Sequence, residues 1–249
     1  MNILLTNDDG YFAPGLRTLA KVLSLKHSVV IIAPEEESSG AGHSINFFRA
    51  LKYRCVDMDD GIETYAVNGT PTDCVKFGLD VILKGRDIDL VISGINNVLN
   101  LGTDLFYSGT VNAAIEATIL YKKAIAVSSH VRKGECYDYP ALFILNNLEK
   151  LASYASDSVT ISVNIPYNEP DKIKGVVAAP IGLRRYADRY ELIGDGNYIL
   201  TGTPVCYEST DEKTDVAYAD CGYITITPLT LYPTDMKTLK LMEGEEFKA

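Results

Sequence analysis

No stretch of this chain approaches the roughly 20 consecutive apolar residues that cross a bilayer. Nor does a basic segment followed by an apolar one stand at its start, where MNILLTNDDG runs straight into a strand-like pattern. Both absences lead to the expectation of a cytoplasmic protein. Positive charge is also short: 23 Lys and Arg stand against 33 Asp and Glu, a formal net charge of -10. Such a field repels polyanions, so neither a nucleic-acid polymer nor an anionic membrane is an expected partner. A phosphate-bearing ligand would need a local device, a metal ion or a helix N-terminus, to reverse that field. Cysteine is present but unorganised. Cys55, Cys74, Cys136, Cys206 and Cys221 are odd in number and contain no CxxC pair, which suits neither a disulfide framework nor a thiolate zinc site and fits reduced thiols. Internal repeats, low-complexity segments and linkers rich in Pro, Gly or Ser are missing too.

What is there reads as one large α/β unit. Of the 249 residues, 47% are hydrophobic and 22% charged, enough apolar material for a substantial core. Short aliphatic or β-branched runs recur at Ile3 to Thr6, Val29 to Ala33, Thr64 to Val67, Leu90 to Ser93 and Ala124 to Ser128. The first, second and fourth are nearly continuous rather than alternating, as expected of strands covered on both faces. Between them, Gly15 to Leu25, Asp73 to Leu83 and Thr110 to Leu120 carry apolar residues at helical spacing. Strands alternating with crossover helices predict a doubly wound, mostly parallel sheet. The second half is less regular. Thr160 to Ile165, Gly175 to Ala179 and Gly222 to Thr227 read as strands, Arg184 to Thr214 as an extended hairpin or loop region, and the acidic tail GEEFKA as frayed.

Ligands of such sheets bind outside the carboxyl ends of the strands, and four loops place polar residues there. After the first strand comes Asn7-Asp8-Asp9-Gly10. Two adjacent acids repel each other unless a cation or strong donors separate them, although Asn7 or an Asp could instead cap the following helix. After the second strand, Glu35 to Ser44 contains Ser39, Gly40, His43 and Ser44. Its small residues admit close backbone approach and its hydroxyls can bind phosphate or a metal, while its Glu run alone reads as solvated and His43 alone as an exposed loop residue. After the fourth strand, Asn96 offers a neutral oxygen of the kind Mg²⁺ or Mn²⁺ accepts beside carboxylates, though Asn and Gly also favour turns. Finally, Ser108-Gly109-Thr110 begins the helix NAAIEATIL, where free N–H groups and a positive dipole end make an anion site compatible with an ordinary cap. Together these strand ends supply oxygen ligands and anion donors but no His or Cys cluster, a combination that points to an oxygen-ligated metal and phosphate.

These residues resemble the SurE family of stationary-phase survival proteins, which are nucleotidases. The resemblance covers essentially the whole chain and is strongest over the first 130 residues. It includes LLTNDDG, the AP-x4-S loop ending GHS, NGTPTDCV at Asn68 to Val75, and SGIN leading to YSGTVNAAIEA. Further on come VNIP at Val163 to Pro166, RRY at Arg184 to Tyr186, and TD followed by GYITITPL between Thr214 and Leu229. The resemblance implies a Rossmann-like fold in a single domain, with a catalytic core over about residues 1–130. The remainder, about 131–249, would carry elements exchanged between subunits of a homodimer or homotetramer. It also implies one divalent ion, Mg²⁺ or Mn²⁺, per subunit, held by Asp8, Asp9, Ser39 and Asn96. The implied activity is hydrolysis of nucleoside 5'-monophosphates and often 3'-monophosphates, with short polyphosphate as a substrate of some relatives. Two positions depart from the family pattern: Val98 stands where a glycine is usual, and Ala117 replaces the glycine ending the helix motif.

The reaction expected is metal-assisted attack of water on phosphorus. Asn7, Gly40, Ser44, Ser108, Gly109 and Thr110 would bind the phosphate-bearing substrate, and Asp8 or Asp9 would serve as general base or as nucleophile. A non-catalytic nucleotide- and metal-binding regulator is the alternative. A dinucleotide oxidoreductase fits poorly, because no GxGxxG follows the first strand.

Overall fold

The computed structural model describes residues 1–132, 136–203, 205 and 213–245. Along the chain run β1 (Asn2–Thr6), α1 (Pro14–Leu23), β2 (Ser28–Pro34), β3 (Tyr53–Cys55), β4 (Glu63–Val67), α2 (Pro71–Phe77), β5 (Leu90–Asn96), α3 (Gly109–Ile119) and β6 (Lys123–Ser129). There follow α4 (Asp138–Tyr154), β7 (Val159–Ile165), β8 (Gly175–Ala178), β9 (Arg189–Gly194), β10 (Asn197–Thr201), α5 (Asp215–Asp220), β11 (Tyr223–Thr230) and α6 (Met236–Met242). Nine strands form one sheet in the order β3-β4-β2-β1-β5-β6-β7-β11-β8. The strands from β4 to β7 in that order are mutually parallel, whereas β3 pairs antiparallel with β4 and β11 antiparallel with β7.

The continuous apolar runs are central strands covered on both faces. In β1, Ile3 and Leu5 point into one cluster with Leu16, Leu19 and Leu23 of α1 and Ile144 and Leu148 of α4. Leu4, between them, points into the other with Val75 of α2 and Val111 and Ala114 of α3. That alternation is the period-2 geometry of a strand sandwiched between two helical layers. Helix α1 begins with Pro14, whose fixed φ suits a first helical turn, and buries the spaced leucines that marked it in the sequence.

Element types agree with the expectation, while boundaries and irregular pieces differ. The helix expected over Asp73 to Leu83 is a short α2 followed by a wider π-type turn at Gly78–Ile82. Helix α4 has no counterpart among the expected elements. Its paired asparagines and its tyrosines are poor helix formers, and it is held by packing Ile144, Leu148 and Leu151 against the sheet. The region Arg184 to Thr214 contains the antiparallel hairpin β9–β10. Residues 206–212 of that region, including Cys206, and 246–249 of the acidic tail lie outside the described residues.

Candidate metal and phosphate site

Strand order reverses direction about β1. Later strands lie on one side, beginning with β5, and β2 and β4 lie on the other. The loops leaving the carboxyl ends of β1 and β5 therefore diverge and leave a crevice, the place where open α/β sheets bind ligands. Thr6 and Ser93 are partners in the β1–β5 register, so Asn7, Asp8 and Asp9 emerge at one lip and Asn96, the last residue of β5, at the other. Gly94 lets β5 run against β6 at this level, since a Cβ there would collide with the carbonyl oxygen of Val127.

Asp8 is buried and held by the start of α3. Its carboxylate accepts the Thr110 hydroxyl at 2.5 Å and the Thr110 N–H at 3.2 Å. Its carbonyl accepts the Ser38 N–H at 2.7 Å. Burial pushes the Asp8 carboxyl up from the usual carboxylate range, against the lowering effect of Thr110. Asp9 is pushed up to about 7, first by burial and then by the charges of Asp8 and Glu37. Neither belongs to any ion pair among the described residues. Asn7 is fully buried and donates from Nδ2 to the Gly10 carbonyl at 3.0 Å, which leaves its Oδ1 without a partner. Asn96 donates from Nδ2 to the Val98 carbonyl at 2.9 Å, so its Oδ1 is the atom available for a ligand. Val98 thus enters the site through its backbone, and its side chain is exposed.

The loop after β2 carries the remaining candidates. Ser39 is exposed and donates to Glu37 Oε1 at 2.6 Å. Gly40 has φ +75°, with open space where a side chain would stand. Ser44 lies against the start of α2, its carbonyl accepting the Thr70 hydroxyl at 2.7 Å, and no hydrogen bond joins it to Asp8 or Asp9. Ser108 caps α3 by accepting the Val111 N–H at 3.0 Å. Gly109 packs on Asp8 so closely that a Cβ would lie 2.8 Å from the Asp8 Cβ. The donors of this helix start are therefore divided. Thr110 N–H serves Asp8 and Val111 N–H serves Ser108, which leaves the Gly109 N–H as the open one.

The donor set fits a hard divalent cation. It offers the carboxylates of Asp8 and Asp9, in no ion pair among the described residues, the free carboxamide oxygen of Asn96 and the hydroxyl of Ser39, with the orphaned Asn7 oxygen beside them. No group of three or more His, Cys, Asp or Glu side chains that could hold a metal gathers among the described residues.

Several neighbours escaped the sequence reading. Glu37, one of a run taken as solvated, bonds Ser39 and acts on both aspartates. Tyr137 is buried, and burial, helped by the nearby charge of Asp9, pushes its phenol up to about 12. Glu116 is buried and bonded to His43. Only Glu116 carried a signal in the sequence, being the sole charge in the helix GTVNAAIEATI.

Residues 3–188 match the sequence model of the family described as "Survival protein SurE". The chain is 42% identical over 251 residues to the 5'-nucleotidase SurE of Fervidobacterium nodosum, covering 98% of this chain and 96% of that protein. It is 40% identical over 247 residues to the 5'-nucleotidase SurE of Thermosipho africanus, with the same shares covered. Among solved structures, the SurE protein from Aquifex aeolicus superposes with a TM-score of 0.80 at 35% identity, covering 98% of this chain and 100% of that one.

Proposed function

The chain belongs to the SurE family, and we infer that it is a divalent-metal-dependent nucleotidase that hydrolyses nucleoside 5'-monophosphates to nucleoside and phosphate at the crevice between β1 and β5. One observation carries this reading: two adjacent carboxylates, in no ion pair among the described residues and both raised in pKa, first by burial and then by neighbouring carboxylates, stand at the topological switch point of a parallel sheet. That arrangement raises the energy of the protein unless a cation is part of its function.

In this reading Asp8, Asp9, Ser39 and Asn96 hold one Mg²⁺ or Mn²⁺ per subunit. When bound, the ion supplies Lewis-acid stabilisation of phosphoryl charge and lowers the pKa of water. Thr110 fixes the orientation of Asp8 through both carboxylate oxygens. Asp9, with no such partner, is the carboxylate free to move a proton. The Gly109 N–H at the positive end of α3 and the loop at Gly40 would donate to the charge that develops on the equatorial oxygens, while Asn7, its Nδ2 given to the Gly10 carbonyl, presents an oxygen instead. These groups provide the local reversal of field that a chain of net charge -10 requires.

We assign the catalytic part to about residues 1–130 and oligomer contacts to the remainder. Supporting this, Tyr190, Leu192, Ile193, Tyr198, Ile199 and Leu200 on the β9–β10 hairpin are each more than half exposed, a surface that a second copy of the chain would cover. No described helix is long and apolar enough to cross a membrane, and Cys55, Cys74, Cys136 and Cys221 are free thiols.

The test is phosphate release from AMP and GMP with Mn²⁺ or Mg²⁺, with and without EDTA. Release that requires metal supports the reading, and a panel of monophosphates without metal-dependent release overturns it. Hydrolysis of a monophosphate made chiral at phosphorus by oxygen isotopes or sulfur then separates direct water attack, a single in-line displacement that inverts configuration, from an aspartyl-phosphate route, whose two displacements retain it.

A further inference from the structure

Helix α3 grips the site at two places. At its start Thr110 holds both Asp8 oxygens. Further along, on the face toward α2, the nearly buried carboxylate of Glu116 accepts His43 Nε2 at 2.9 Å and Lys76 Nζ at 2.7 Å. His43 belongs to the loop that carries Ser39 and Gly40. Lys76 belongs to α2, which contributes no candidate ligand.

That loop is anchored only at its two ends. Ser39 and Gly40 are exposed, and nothing packs where a Gly40 side chain would stand. On one side Ser38 N–H donates to the Asp8 carbonyl; on the other Gly42 N–H donates to the Tyr107 carbonyl at 3.1 Å, immediately before the α3 cap. The His43–Glu116 contact is the side-chain anchor next to that second point. The hydroxyl of Ser39 and the carboxylate of Asp8 follow different strands; the Ser38–Asp8 backbone bond ties them on one side of Ser39, and the contacts of Gly42 and His43 with the α3 region tie them on the other.

We propose that His43 is a positioning residue for the metal site: its hydrogen bond to Glu116 docks the Ser39–Gly40 loop on the helix that also holds Asp8, and so sets the spacing of hydroxyl and carboxylate donors. This rests on the assignment of Asp8, Asp9, Ser39 and Asn96 as the ligands. Glu116 has two nitrogen partners, and only His43 belongs to the Ser39–Gly40 loop. Loss of Lys76 therefore weakens the helix packing without moving Ser39, and loss of His43 loosens the loop beside Ser39 and Gly40, leaving only the backbone contacts of Ser38, Gly42 and Ser44.

Calorimetric titration of Mn²⁺ into the metal-stripped, full-length protein tests this without reference to turnover. Orienting partners behind metal ligands are worth on the order of tenfold or more in affinity, so His43→Ala is expected to weaken Mn²⁺ binding about tenfold. His43→Gln, whose amide can still donate to Glu116, recovers part of that loss. Lys76→Met lowers the thermal midpoint but binds Mn²⁺ as the wild type does. The kcat/KM of His43→Ala falls at limiting Mn²⁺ and returns toward wild type at saturating Mn²⁺. The proposal is overturned if His43→Ala binds Mn²⁺ like the wild type, if Gln restores nothing, or if Lys76→Met weakens binding by the same factor. A wild-type protein that binds no Mn²⁺ defeats the ligand assignment itself, a result distinct from wild-type binding that His43→Ala leaves unchanged.

Discussion

Asp8 has both carboxylate oxygens engaged by Thr110, whereas Asp9 faces the charges of Asp8 and Glu37 with no donor of its own. The two neighbours therefore respond differently to substitution. In the metal-free folded chain Asp9 keeps its proton up to about pH 7, while unfolded it releases it near the ordinary aspartate value of 3.8. Between those values the folded state holds the extra proton, so the contribution of Asp9 to stability falls as pH rises and is fully lost above about 7. Removing the charge with Asp9→Asn should thus raise the melting temperature in EDTA at pH 8, by roughly 2–4 °C once solvent screening of this half-buried group is allowed for. The gain should vanish near pH 4. A difference independent of pH would contradict this account of Asp9. The same variant should bind Mn²⁺ at least about tenfold more weakly, as loss of a charged ligand costs no less than loss of its supporting partner. Thr110→Val acts on the other carboxylate, leaving buried Asp8 without its shortest hydrogen bond. That change should destabilise the metal-free protein by about 1–3 kcal/mol and lower kcat/KM, measured by denaturant unfolding and phosphate release; unchanged stability would mean that water replaces the hydroxyl.

At the level of the element, α3 has its start given over to the site rather than to its own stability. Gly109 is the residue over which Asp8 lies, and a methyl group there would press on the Asp8 Cβ at 2.8 Å and on Oδ2 at 3.0 Å. Gly109→Ala should therefore displace the carboxylate by a fraction of an ångström. Activity should fall on the order of a hundredfold although alanine is the better helix former, a divergence that circular dichroism and phosphate-release assays on one preparation would expose. Wild-type turnover in Gly109→Ala would show that Asp8 tolerates the shift. The helix itself was legible in the sequence, as were β1, β2, β5 and α1, because each is defined by local spacing of apolar residues that are then buried. The four strand-end loops were legible for the same reason, since the sheet type dictates where strand ends gather. Contacts made across the sheet were not. That Thr110 bonds Asp8 rather than capping its own helix, or that Glu37 and His43 act within a loop that looks solvated, depends on separations of up to 102 positions in sequence that no local pattern encodes. Helix α4 was illegible for a related reason: its stability comes from the surface it lies on, not from its own residues.

Over the whole molecule, the distribution of exposed apolar side chains is uneven in a way that charge alone does not require. The main sheet is covered by two helical layers, whereas the β9–β10 hairpin forms a separate two-stranded sheet outside it. A lone hairpin is at best marginally stable in water, and this one exposes tyrosine, leucine and isoleucine from both of its strands. Helix α6 behaves alike: none of its residues is buried, and Met236, Leu239, Leu241 and Met242 are exposed. Such surfaces persist when a second copy covers them, and the resulting contact would be self-complementary about a two-fold axis. Replacing residues 189–201 by a short Gly-Ser turn should then lower the mass measured by light scattering on the eluting protein. The Asp8–Asp9 crevice, built from β1, β5, α3 and the loop after β2, contains no hairpin residue. Metal-dependent hydrolysis should therefore survive in the shortened protein at a rate within about tenfold of wild type, the scale of effects transmitted by supporting contacts. An unchanged mass would exclude the hairpin as an assembly element. Reduced mass with abolished hydrolysis would instead mean that a neighbouring subunit completes the site.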